Sequence, residues 1–174
     1  MNPEERRNKI VDILDKASEP VAGSKLASLL AVSRQVIVQD ISILRASGKG
    51  ILATPRGYMI AEENVSTLYR KTLAVSHNMG QMEDELKIIV DAGGKVIDVI
   101  VEHPLYGELK GNLMLKSRRD VQEFVEKTNR TGSKMLSDVT NGVHLHTVEV
   151  ESEEIFSYIK ADLKKAGYLL SSYD

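Results

Sequence analysis

The stretch SKLASLLAVSRQVIVQDISILRAS, residues 24–47, followed by GKGILATPRGYMIA at 48–61, decides how the first third of the chain folds. Leu26, Leu29 and Leu30 mark a short helix, Ala31-Val32 interrupts it, and Ser33 is placed to cap a second one, since a serine oxygen accepts the free amides of a first helical turn. In that second helix Ile37, Ile41 and Leu44 share one face, which leaves Gln35, Gln39, Ser42 and Ala46 opposite. Polar, uncharged side chains suit base-pair edges: glutamine pairs bidentately with adenine, and small neighbours permit close approach to the groove floor. Arg34, Arg45 and Lys49 are placed for phosphates rather than bases. Two short apolar runs joined by Thr54-Pro55-Arg56-Gly57 predict a hairpin with Arg56 at its tip. Upstream, Pro3 opens a helix whose Ile10, Ile13, Leu14 and Ala17 recur at helical spacing until Ser18-Glu19-Pro20. Three helices and a wing make a winged helix-turn-helix, with Ser33, Arg34, Gln35, Gln39, Ser42, Arg45, Lys49 and Arg56 as the candidate DNA-facing residues. The plainer alternative is a three-helix packing module; turn, polar outer face and basic wing together favour DNA.

Composition frames this reading. A chain of 174 residues, 42% hydrophobic, supports two small cores, and the pattern divides it into residues 1–63 and 64–174. The absence of cysteine excludes disulfides and thiolate metal sites. The N-terminus carries no apolar run of signal length, and no window approaches the roughly 20 apolar residues of a membrane helix, so a cytoplasmic protein without membrane contact is expected. The net charge of −2 hides an asymmetry: residues 1–60 hold nine Lys/Arg against six Asp/Glu, and the remainder fourteen against nineteen. A basic head on an acidic body favours phosphate contact at the N-terminus.

Beyond residue 66 the pattern alternates. A strand at 71–76, a helix at 81–92, a strand at 95–102, a hairpin strand at 107–115, a helix at 119–129, a strand at 143–151 and a last helix at 153–166 follow one another. The order β-α-β-β-α-β with an extra terminal helix is the ferredoxin-like succession, so the expected class is α+β. All four histidines, His77, His103, His144 and His146, sit at strand ends or starts in this unit. In that arrangement the first and fourth strands are neighbours, which brings His77 beside His144 and His146. These last two project from one face of a strand, about 6 to 7 Å apart at the backbone. Glu85, near the start of the intervening helix, adds a carboxylate. Three imidazoles and a carboxylate suit one divalent transition metal per chain, zinc, nickel, iron or cobalt. An isolated His-x-His pair reads better as two hydrogen-bonded imidazoles on a surface strand; convergence with His77 reverses this in favour of the metal. For His103, Tyr106 and Gly107 two readings stay open, a plain turn or the lip of a ligand pocket where Tyr106 stacks on a flat molecule.

Two resemblances follow from these motifs. Residues 5–60, and LASLLAVSRQVIVQDISILR above all, resemble the winged helix of the biotin-repressor type, but no Gly/Arg-rich biotinyl-adenylate loop is present and the chain is too short for a ligase domain. SHN at 76–78, EHPLYGEL at 102–109 and GVHLHTVE at 142–149 resemble the three-histidine ligand-binding domain. The two joined resemble the niacin-responsive repressors of bacterial NAD metabolism genes. That resemblance implies a homodimer that binds operator DNA when nicotinic acid is present as co-repressor. It also implies a divalent metal on His77, Glu85, His144 and His146, with His103, Tyr106 and Gly107 as pocket residues. A metal-responsive regulator and a metal-dependent hydrolase with a DNA-binding tail are the competing readings; against the hydrolase, Asp138 and Glu149 lack the partners that mark acid/base catalysis.

Overall fold

The computed structural model describes residues 1–61 and 68–170, and the chain forms two compact units, Met1–Asn64 and Val65–Asp174. The boundary expected between residues 63 and 64 lies outside the described residues.

In the first unit α1 (Pro3–Asp15), α2 (Gly23–Leu30) and α3 (Arg34–Ala46) precede a hairpin of β1 (Ile51–Thr54) and β2 (Gly57–Ile60). Asn2 caps α1 through a reciprocal bond with Glu5, and Ser33 Oγ accepts the Val36 amide to cap α3. Each such cap contributes about 1 kcal/mol. Ala31 ends α2 in the left-handed conformation, with φ +54°. The α2 and α3 axes then meet at 104°, within the range of helix-turn-helix pairs. Ile10, Leu14, Leu26, Ile37, Ile41 and Ile51 form the core. The wing is tied back by a pair of backbone bonds between Val21 and Tyr58. That approach requires Gly57, at φ +140°, because a Cβ there would overlap the Val21 carbonyl.

The second unit runs β3 (Tyr69–Ser76), α4 (Met82–Asp91), β4 (Lys95–His103), β5 (Gly107–Leu115), α5 (Arg118–Thr131), β6 (Val143–Val150) and α6 (Glu153–Lys165), with short 3-10 turns before α4 and before β6. The α+β class and the element succession are as the sequence predicts, and the four strands pair antiparallel. The strand order is β3-β6-β4-β5. A ferredoxin-like order sets the unit's first strand between its fourth and third; here the fourth lies between the first and second. The outer edge of β3 is met instead by the segment after α6: Ser76 donates to the Tyr168 carbonyl, Leu170 donates to that of Ala74, and Val75 bridges Leu169. The neighbours that matter for the histidines, β3 and β6, are common to both orders. Leu73, Val75, Val148 and Val150 on the sheet face Leu86, Ile89, Val121, Ile159 and Leu163 on the helices.

The sheet is irregular around Asp98. Between Val96 and Ile100 β4 spends one residue more than β6, which steps from Val148 to Leu145. Between Val96 and Asp98 it is β5 that carries the extra residue, from Leu115 to Asn112. Met114, buried within that stretch, has φ +53°, the left-handed conformation of a bulge without the glycine that usually marks one. Among the described residues no single helix is long and apolar enough to cross a membrane.

Candidate functional site

On β6, His144, His146, Val148 and Val150 are all buried, and the pleat sends their side chains to the helix-covered face. His144 and His146 pair across the ladder with Val75 and Leu73, so the end of β3 delivers His77 to the same place. The Asn141-Gly142 turn fixes the approach. Both residues have positive φ, and a Cβ on Gly142 would overlap the His77 carbonyl oxygen. From above, α4 lowers the fully buried Glu85 among the three rings.

Each of the three imidazoles spends Nδ1 on a backbone carbonyl. His77 Nδ1 lies 2.7 Å from the Asn78 oxygen, His144 Nδ1 2.8 Å from that of Gly142, and His146 Nδ1 2.6 Å from that of Asp98. A carbonyl only accepts, so Nδ1 holds the proton and Nε2 is left to point inward. His77 Nε2 is 3.2 Å from Glu85 Oε2 and His146 Nε2 is 3.3 Å from Oε1. The rings stand edge to face, with centroids 4.8 Å apart for both His77/His144 and His144/His146. Glu85 Oε1 is buried and makes no hydrogen bond, with His146 Nε2 3.3 Å away.

Burial opposes charge on His77, but its bond to Glu85 raises its pKa above the usual value. At His146 burial is likewise overcome, chiefly by the Glu85 charge, and the pKa rises. Glu85, despite burial that favours its neutral form, is held at about 2 by His146 with help from His77 and His144. His144 is pushed down to about 4 by burial and by the charge on His146. When protonated, His77 donates Nε2–H to Glu85 Oε2, and His146 brings a positive charge to within 3.3 Å of Oε1. When neutral, three bare nitrogens and two carboxylate oxygens face one another with no donor among them, and a cation satisfies such a group. One ligand atom each from His77, Glu85 and His144 lies within 4.8 Å of the others. This donor set, nitrogen and oxygen without thiolate, fits a divalent transition metal.

His103 stands apart. Its Nδ1 accepts the amides of Leu105 and Tyr106, at 3.0 and 3.2 Å, and its ring lies 4.9 Å from that of the exposed Tyr106 at the β4–β5 turn. Gly107 shapes the turn at φ +72° and joins Glu102, Glu108, Thr140, Val143 and His144 around a cleft of about 510 Å³. His144 is also among the residues of β6 that line this cleft, but its ring points to the helix-covered face, opposite to the side chains of Val143 and Leu145.

In the first unit Arg34, Gln35, Gln39, Ser42, Arg45 and Lys49 are exposed on or beside α3. Ser33 is engaged as the cap, and the Ser42 hydroxyl donates to the Val38 carbonyl. Arg56 is turned back from the wing tip to Glu19, at 2.7 Å. Three residues not singled out in the sequence hold α3 in place. Asp40 is buried on its inner side and takes Arg6 from α1 at 2.6 Å, with Arg7 at 3.6 Å. The only sequence signal was an acidic residue beside the apolar stripe with an Arg-Arg pair upstream.

Fold and site together define a helix-turn-helix DNA-binding protein with a second unit of the 3H type: residues 6–59 match the HTH domain family and residues 70–172 the 3H domain family. Over 169 residues the chain is 45% identical to NiaR of Thermotoga maritima, described as a probable transcription repressor, covering 96% of this chain and 94% of that one. Over 167 residues it is 39% identical to the transcription repressor NadR of Bacillus subtilis, covering 95% and 93%. The chain belongs to this family of transcription repressors, the niacin-responsive family its motifs resemble. These relatives are named as repressors, not enzymes.

Proposed function

We propose that the protein represses genes of NAD biosynthesis or niacin uptake, with nicotinic acid as co-repressor, and that it acts as a homodimer in the cytoplasm. His77, Glu85, His144 and His146 are the residues that would hold one divalent transition metal. The observation that carries the reading is the cluster itself, three imidazoles held through Nδ1 by backbone carbonyls around the buried Glu85 carboxylate. A bound cation there supplies positive charge to which a pyridine carboxylate can anchor. The cavity volume lies within the usual span of small-molecule pockets; Gly107 lines it, with His103 and Tyr106 on the same β4–β5 turn. A co-repressor must bind one arrangement of the dimer better than another, since equal affinity for both shifts nothing. Gln35 and Gln39 read bases, while Arg34, Arg45 and Lys49 hold phosphates.

The test is operator affinity of the metal-loaded protein, by fluorescence anisotropy, with and without nicotinate. Tighter binding with nicotinate supports the reading, and equal affinities overturn it. If chelation abolishes binding while nicotinate has no effect, the metal itself is the signal. On the DNA side, Gln39→Ala is expected to lose about 1–3 kcal/mol of operator preference, whereas Arg34→Ala weakens all sequences alike and lowers the salt slope by about one.

A further inference from the structure

The irregularity in β4 puts the side chain and the backbone of a single residue to different uses. Because β4 carries one residue more than β6 between Val96 and Ile100, the ladder leaves the Thr147 amide without its regular carbonyl. The Asp98 side chain takes that place: Oδ1 accepts the Thr147 N–H at 2.9 Å. The Asp98 backbone carbonyl, freed from the ladder, accepts His146 Nδ1 at 2.6 Å. Asp98 is buried, and its second oxygen lies 3.7 Å from Lys110 Nζ on β5. The matching extra residue in β5 at Met114 lets that strand follow the displaced one.

We infer that Asp98 is a positioning residue, whose carboxylate holds the displaced strand open so that its own carbonyl locks the His146 ring with Nε2 toward Glu85. The inference rests on the reading of His146 as a metal ligand. Outer partners of this kind fix tautomer and direction together, and their loss typically costs 10–100-fold in metal affinity. An ordinary strand carbonyl lies in the plane of the sheet and cannot reach a ring on the helix-covered face; the irregularity is what turns it. An asparagine keeps an acceptor for Thr147, and an alanine does not.

The experiment uses full-length protein and zinc(II) as the probe. Nitrogen-15 correlation spectra of the metal-free protein at alkaline pH, where the ring is neutral, assign the His146 tautomer with no metal involved. The wild type and Asp98→Asn are expected to show Nδ1–H alone, and Asp98→Ala a mixture. Zinc(II) affinity is expected to fall roughly 10–100-fold in Asp98→Ala and to stay within about threefold of wild type in Asp98→Asn. Asp98→Ala with wild-type tautomer and affinity overturns the inference. So does Asp98→Asn as damaged as Asp98→Ala. If Asp98→Ala does not fold, the wild-type spectrum still decides, because Nε2–H on His146 contradicts the inference outright. Failure of the wild type to bind zinc(II), with the Nδ1–H tautomer present, removes the metal reading and leaves the orientation by Asp98 standing.

Discussion

The cluster of His77, His144 and His146 and the turn at His103 use the same ring atom in opposite senses. In the cluster Nδ1 donates to a carbonyl, so Nε2 is turned inward and is bare once the ring is neutral. At the turn Nδ1 accepts two amides, so the proton of the neutral ring sits on Nε2. One arrangement offers lone pairs to a cation and the other offers an N–H to an acceptor. Backbone hydrogen bonding, rather than the mere presence of histidine, divides the four into a group that can hold a metal and one that cannot join it from its place in the turn.

The sharpest way to break this contrast is at Glu85. Glu85→Gln removes the one negative charge among the three rings, and zinc(II) affinity measured by competitive titration is expected to fall roughly 100-fold or more, beyond the loss from an outer partner. A smaller effect would mean that the rings alone define the site. Gly142→Ala comes next. Its Cβ must displace the His77 carbonyl, and a side chain at φ +91° is itself strained, so denaturant unfolding should show a loss of about 1–3 kcal/mol together with weaker metal binding.

The pH dependence tests the contrast by its sign. His77 and His146 have pKa values raised above the unfolded value, so their contribution to metal-free stability is full below about 6.5 and is lost as pH rises through the raised values. His144 is depressed, so stability also falls as pH drops from about 6.5 toward about 4. Glu85 subtracts only as pH falls from its unfolded value of 4.5 toward about 2. The melting temperature of metal-free protein should therefore peak near neutrality, and zinc should reverse the alkaline limb, since deprotonation frees the ligands. Zinc binding on the acid side of that limb should release about two protons, seen as a dependence of calorimetric heat on buffer. A metal-free protein that gains stability as pH rises from 7 to 9 would contradict the charge assignment. Smallest of all is His103→Asn. Asparagine can accept the turn amides as histidine does, so zinc affinity should stay within about twofold of wild type. A larger loss would place His103 in the cluster.

Most of the site was legible because it follows from periodicity. A two-residue spacing puts His144 and His146 on one face, and alternation of elements puts the end of β3 beside the start of β6. What could not be read depends on distant partners. The irregularity at Asp98 carries no glycine, and Met114 looks like any core residue of a strand. Strand order turned on the Tyr168–Leu170 segment, whose few residues after a helix show no alternation long enough to mark a strand. Arg56 has the composition of a wing-tip phosphate contact, and only the fold shows Glu19 within its reach. Asp40 reads as one more polar position on a helix until Arg6 is found opposite it.

That buried Asp40 divides α3 lengthwise by how freely its positions can be rewritten. Residues 35, 39 and 42 are exposed, and Ser42 bonds only within its own helix, to the Val38 carbonyl, so they form a replaceable alphabet. Position 40, clamped by two arginines of α1, belongs to the frame. Changing it would leave the half-buried guanidinium groups of Arg6 and Arg7 without their carboxylate, which destabilises the unit. Operator preference can thus drift, or be redesigned, along one edge of the helix without reopening the fold, provided that any exchanged recognition helix arrives with an acidic residue at that single inward position.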